Sequence, residues 1–176
     1  MKYSLTAVSC IAALLYGAPV LALDAYVQTG VNYLVVRTEG ARFTPLAWEG
    51  RLGAYIDKQI ALEVQAATSI KESDKIDINA ELATQYGVSL RLETPEVKGG
   101  KLYFLGGYGV TELDIDRSDT GAPGELEYKG GNYGLGTQIR PFKNCQSFSL
   151  YLEAKRHFAE EGVKIDHLGL GVGYAF

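Results

Sequence analysis

From residue 25 onward the chain alternates in side-chain character, and one of its two alternating faces carries no charge. Successive side chains of a strand point to opposite sides, so every second residue shares a face. That face reads Val27, Val31, Tyr33, Val35, then Leu46, Trp48, Leu52, Ala54, Ile56, then Ile60, Leu62, Val64, Ala66. It continues through Ile78, Ala80, Leu82, Tyr86, Val88, Leu90, Leu92, then Leu102, Phe104, Tyr108, Val110, then Tyr133, Leu135, Ile139. Phe148, Leu150, Leu152, Ala154 and finally Leu168, Leu170, Val172, Tyr174, Phe176 complete it. Charged residues make up 22% of the sequence, so this vacancy needs a cause. A charge at the midplane of a membrane barrel costs about 2–4 kcal/mol, which is cause enough.

Turn signals divide the alternation into eight segments: 25–37, 43–56, 59–70, 77–92, 102–111, 127–140, 148–158 and 163–176. A long loop is expected over 114–125 and short connections elsewhere. No proline interrupts a strand core, as a hydrogen-bonded ladder requires. No window after residue 23 approaches 18 continuous apolar residues, so a membrane-spanning form must be a barrel rather than a helix bundle.

The opposite face holds Gln28, Asn32, Glu49, Arg51, Glu63, Gln65, Asn79, Glu81, Gln85, Arg91, Gln138, Arg140, Glu153 and Lys155. Between them stand glycines 30, 53, 87, 107, 109, 134, 136, 169, 171 and 173. In a soluble lipocalin-like binder this polar face would meet water, which sets no limit on side-chain size. Glycine there only weakens the strand. Inside an eight-stranded barrel the lumen is just wide enough to be filled by side chains, and long charged residues need small neighbours. The pattern therefore predicts an all-β, eight-stranded antiparallel up-and-down transmembrane barrel, polar inside and apolar outside. Its interior would hold a neutral set, Glu49, Glu63, Glu81 and Glu153 against Arg51, Arg91, Arg140 and Lys155, because charges taken from water must be paired. That set reads as a structural network. A conducting pore would want a wider barrel or a ring of one sign.

The N-terminus reads as a secretory signal over residues 1–22: Lys2, an apolar core from Leu5 to Tyr16, and the small-residue cleavage site Val20-Leu21-Ala22. The barrel would then occupy 23–176. Removing Lys2 takes the bases from 17 to 16 against 21 acids, a net charge of −5, which argues against a nucleic-acid partner. Only Cys145 would remain of the two cysteines, so no intramolecular disulfide is expected.

The segments Tyr133-Gly-Leu-Gly-Thr-Gln-Ile-Arg140, Leu150-Tyr-Leu-Glu-Ala-Lys155 and Gly169 to Phe176, with the opening strand Tyr26-Val-Gln-Thr-Gly-Val-Asn-Tyr33, resemble the small outer-membrane barrels of the OmpX/Ail group and the wider OmpA-type membrane-domain superfamily. The resemblance implies a monomer in the outer membrane of a Gram-negative bacterium, in contact with outer-membrane lipid and lipopolysaccharide. It also implies that Leu168, Leu170, Val172, Tyr174 and the terminal Phe176 form the assembly signal read by the barrel-insertion machinery, with periplasmic chaperones on the way. No periplasmic domain follows the barrel in this sequence, and the hairpins other than 114–125 are short, unlike the long ones of adhesive members.

Lipid A deacylases of the outer membrane pair a histidine with a serine two residues on, because a serine nucleophile needs a base within reach. Here His157 is followed by Phe158 and Ala159, and His167 by Leu168 and Gly169. No catalytic residue, cofactor or metal ligand is therefore expected; two histidines without clustered cysteines make no zinc motif. The expected role is structural or interactive at the cell surface. A lipid-modifying enzyme and a small porin-like channel are the alternatives.

Overall fold

The computed structural model describes residues 24–38, 41–71, 73–75, 78–117, 124–142, 144–158 and 164–176. The candidate signal segment 1–22 lies outside them. The strands are β1 Ala25–Thr38, β2 Ala41–Phe43, β3 Leu46–Asp57, β4 Ile60–Lys71, β5 Ser73–Lys75, β6 Ile78–Glu93, β7 Gly100–Arg117, β8 Gly124–Ile139, β9 Phe148–Phe158 and β10 Lys164–Ala175. Eight of them form an antiparallel meander in the order β1-β3-β4-β6-β7-β8-β9-β10, with the short β2 and β5 added beside β1 and β6. The meander closes on itself. β10 pairs with β1 from Tyr26↔Ala175 to Arg37↔Lys164, so the first and last strands leave no free edge along that seam.

Closure gives the two faces opposite fates. Leu62, Val64, Val88, Leu90, Leu135, Leu152 and Leu170 are exposed on the outer wall, while Glu63, Gln65, Ser89, Arg91 and Glu153, each next in sequence to one of them, are buried inside together with Lys155. A one-residue slip in any register would exchange the two sets, so the pattern itself fixes the pairing. Tyr33, Trp48, Tyr86, Tyr108 and Tyr133 project outward toward one end. Phe104, Phe142, Tyr174 and Phe176 project outward toward the other. Two such bands are the aromatic girdles that outer-membrane barrels place at their interfaces.

The ends differ. At one, Lys58-Gln59 turns β3 into β4, and Lys98 and Gly99 lie at φ 54° and 82° in the tight connection to β7. Consecutive positive φ values suit a two-residue hairpin turn, and glycine takes the second of them at no steric cost. Both termini of the barrel lie at this end as well, with Phe176 N donating to Ala25 O at 2.9 Å. The other end carries the taller hairpins. Here the structure corrects the expected loop at 114–125. β7 runs on to Arg117 and β8 begins at Gly124, with Asp114↔Glu125 and Ile115↔Gly124 in register. Both flanks of the acidic stretch are strand, 118–123 lying outside the described residues, because Leu113, Ile115 and Leu126 keep the sequence alternating between the charges.

Two interior contacts explain glycines that a strand would otherwise avoid. A Cβ at Gly53 would lie 2.2 Å from Tyr26 Cζ, and one at Gly136 would lie 2.2 Å from Tyr103 Cζ. Each tyrosine faces the glycine directly across the ladder, Tyr26↔Gly53 and Tyr103↔Gly136. The ring lies flat over bare backbone, and its hydroxyl reaches the centre of the lumen. The bareness of the inner wall thus serves aromatic rings as well as the long charged side chains.

Candidate functional site

The interior network is built from positions that alternation delivers to the lumen. Glu49 and Arg51 come from β3, Glu63 from β4, Arg91 and Glu93 from β6, Lys101 and Tyr103 from β7, and Glu153 and Lys155 from β9. Arg51 is its hub. Its guanidinium bonds Glu49, meets Glu153 Oε2 at 2.8 Å and lies 3.4 Å from Glu63 Oε2. The Arg51–Glu153 contact crosses the lumen between β3 and β9, which stand three steps apart around the closed sheet by way of β1 and β10.

From that hub the network runs both ways along the axis. Toward the taller hairpins, Lys155 Nζ donates to Glu49 Oε2 at 3.1 Å and to Gln65 Oε1 at 2.9 Å. Toward the tight turns, Arg91 Nη1 donates to Glu63 Oε1 at 3.1 Å, and its Nε pairs with Glu93 Oε1 at 2.7 Å. Lys101 then pairs with Glu93, and Tyr55 donates to the same carboxylate at 3.0 Å. Tyr26 donates to Glu63, and Tyr103 to Glu153 at 2.9 Å. The Arg91 guanidinium lies 3.6 Å from the Tyr103 ring centroid and 5.4 Å from that of Tyr26, so the rings seated on Gly136 and Gly53 also hold the cation by their faces.

Arg91 and Glu63 are fully buried. Charges this far from water are tolerated only when their partners are in place. Four carboxylates, Glu49, Glu63, Glu93 and Glu153, face four bases, Arg51, Arg91, Lys101 and Lys155, among the described residues.

Residues 8–176 match the model of the outer membrane protein beta-barrel domain. The chain belongs to that family. Among solved barrels it is similar to Ail, the attachment invasion locus protein of Yersinia pestis, crystallised with the heparin analogue sucrose octasulfate (18% identity over 88% of this chain and 99% of that one, TM-score 0.66). It is also similar to Neisserial surface protein A (14%, 86% and 97%, TM-score 0.66) and to OprG from Pseudomonas aeruginosa (11%, 88% and 96%, TM-score 0.60). Identities this low carry the fold. No curated protein matches the chain. It is an outer-membrane β-barrel protein of this small type, and the uncharged outer wall is its lipid face.

Within this family barrel, six of the eight charges expected inside come together: Glu49, Arg51, Glu63, Arg91, Glu153 and Lys155. Arg140 does not join them. It follows the last residue of β8, and its side chain turns over the rim to Glu96 at 2.9 Å, where both partners are about a third exposed. Glu81 pairs with Asp114 along the β6–β7 ladder, and its side chain lies outside the described residues. Glu93 and Lys101 are the members that the sequence reading passed over. Ending the fourth segment at residue 92 and opening the fifth at 102 cut off one inward position on each. Continuing the alternation from Arg91 and back from Tyr103 would have found both. The inward tyrosines 26, 55, 103 and 151 were missed because aromatic residues there resemble wall residues by composition. The expected assembly signal, Leu168, Leu170, Val172, Tyr174 and Phe176, lies wholly on the outer wall, with the Tyr174 and Phe176 rings 5.4 Å apart edge to face.

Above the charged level the described residues that line the lumen include an uncharged polar set. Gln85 Nε2 donates to Thr111 Oγ1 at 3.0 Å and lies 3.1 Å from His157 Nε2, and Ser89 donates to Asn132 Oδ1 at 3.2 Å. Leu34 and Ile165, both buried, close this level on the inner face.

The two arginines give the network its test. Arg51→Met leaves three carboxylates facing one another and should destabilise the barrel by about 3–5 kcal/mol. Arg140→Met removes a half-exposed pair and should cost about 0–1 kcal/mol. Urea unfolding in lipid vesicles measures both; equal costs would contradict the hub role of Arg51.

Proposed function

We propose that this protein is a monomeric barrel whose lumen is plugged by its own charge network, and whose role is structural or interactive at the cell surface rather than transport or catalysis. The observation that carries this reading is the Arg51 hub. A guanidinium that ties together carboxylates of β3, β4 and β9 across the lumen, with tyrosines packed around it, obstructs the path of a hydrated solute at that level. A porin needs about 16 strands to leave an aqueous channel.

The histidines support a role other than catalysis. Among the described residues the hydrogen-bond partner of His157 is the Gln85 amide. Among the described residues neither imidazole bonds a serine hydroxyl or a carboxylate, the pairing that an acyl-transferring serine requires. Export through the segment 1–22 fits the chain's family, and the outer wall fits outer-membrane lipid and lipopolysaccharide as its immediate partners. The polyanion bound to Ail does not transfer by charge. The tallest hairpin here carries Asp114, Asp116, Glu125 and Glu127, which repel sulfates and suit cationic or cation-bridged contacts.

Planar-bilayer recording tests the plugged lumen. The purified barrel should give rare, small events; long-lived steps that also pass sugars would overturn the reading and favour a channel. The C-terminal signal has its own check. Deleting Phe176 should lower outer-membrane levels strongly while leaving the urea midpoint of refolded protein nearly unchanged. Normal surface levels of the truncated chain would exclude recognition of the terminal aromatic by the insertion machinery.

A further inference from the structure

His157 and His167 are the only two histidines in the sequence, and the β9–β10 register brings them together on the inner wall. They occupy diagonal positions on neighbouring strands, since Ile165 pairs with His157 and Lys155 with His167. Both are 4% exposed, and their ring centroids stand 4.9 Å apart with the planes tilted by 41°. Among the described residues neither ring nitrogen of His167 has a hydrogen-bond partner, and Gln85 Oε1, on the amide that meets His157, has none either. A buried polar atom without a partner costs free energy, and here three of them sit on His167 and on the Gln85 amide that meets His157, with the buried Leu34 and Ile165 as the ladder partners of the two histidines.

We propose that this pair is a binding site for one divalent transition-metal ion of the copper or zinc class, held by His157 and His167 and completed by the Gln85 amide oxygen and solvent. Such an ion bonds an imidazole nitrogen at about 2.0–2.1 Å, so each ring centroid lies roughly 3.2 Å from it. Two rings at a tetrahedral angle then stand about 5.2 Å apart, close to the separation present before any metal enters. Imidazole is mostly uncharged at neutral pH, so its lone pairs are available. The nearby cation does not veto the site, because Lys155 is held by Glu49 at 3.1 Å and lies 3.9 Å from Glu153. Among the described residues no third histidine, cysteine or carboxylate joins the pair. The site is accordingly one of moderate affinity, and the spacing of the two histidines in sequence gives it no recognisable motif. It goes beyond the structural role proposed above and stands or falls apart from it.

The test uses tag-free, folded barrel in detergent titrated with copper(II) chloride. Electron paramagnetic resonance should show one equivalent bound at micromolar concentration, and spin-echo modulation should show the remote nitrogens of two imidazoles. Because the chain has no other histidine, a two-imidazole signal from monomeric barrel identifies the pair without any substitution. His157→Gln and His167→Gln, checked for folding by heat-modifiable gel mobility, should each leave one imidazole and weaken binding more than tenfold. Absence of imidazole modulation in the unsubstituted protein overturns the site, as does binding that both variants retain undiminished.

Discussion

Arg51 is the contact on which the interior depends. An arginine in a narrow lumen has lost its hydration, and its charge can be met only by carboxylates supplied from the surrounding wall. Glu49 is two residues away on the same strand, Glu63 comes from the next strand, and Glu153 comes from β9, three steps around the barrel. The three acids are in turn held by Lys155, Arg91, Tyr26 and Tyr103. Each link requires a particular strand register, so the network and the ladder specify each other. The glycines follow from the same demand. Rings that donate to Glu63 and Glu153 lie where the facing residue has no side chain, at Gly53 and Gly136.

The outer wall obeys the complementary rule. It has no partners to offer a charge, so it carries none across the apolar band, and charged pairs return only beyond it. Arg156–Asp166 and Lys129–Glu127 stand on the outer surface toward the taller hairpins, each base meeting an acid. Their position beyond Ala154, Leu168 and Tyr133 marks the level where lipid tails give way to headgroups. The similar barrels share this architecture at 11–18% identity, so the family fixes the fold and leaves the role to be argued from these residues.

Much of this was legible in the sequence because parity is a binary property. Once Leu62 is assigned to lipid, Glu63 must face the lumen, and the same step repeated along each strand recovers six of the charged members. What parity does not fix is where a strand stops. Glu93 and Lys101 fell one residue outside the drawn boundaries, and Arg140 fell one residue beyond the ladder, where a long side chain can reach the rim instead of the interior. The acidic run 114–125 read as a loop because charge masked the alternation of Leu113, Ile115 and Leu126. The histidine pair was invisible for another reason. Ten residues separate His157 and His167 along the chain, and only the β9–β10 register makes them neighbours.

The polarity of the barrel, apolar wall to lipid and charged network to lumen, has a built-in reporter. Trp48 is the only tryptophan and lies on the outer wall, half exposed, opposite Val31 and near the start of β3. Its fluorescence in vesicles of brominated phospholipids measures the assignment directly. A lipid-facing Trp48 gives blue-shifted emission, quenched more by bromines near the headgroup end of the acyl chains than by those near the chain ends, and insensitive to iodide in the buffer. Red-shifted emission quenched by iodide and untouched by brominated lipid would place this face in water and contradict the polarity of the whole barrel.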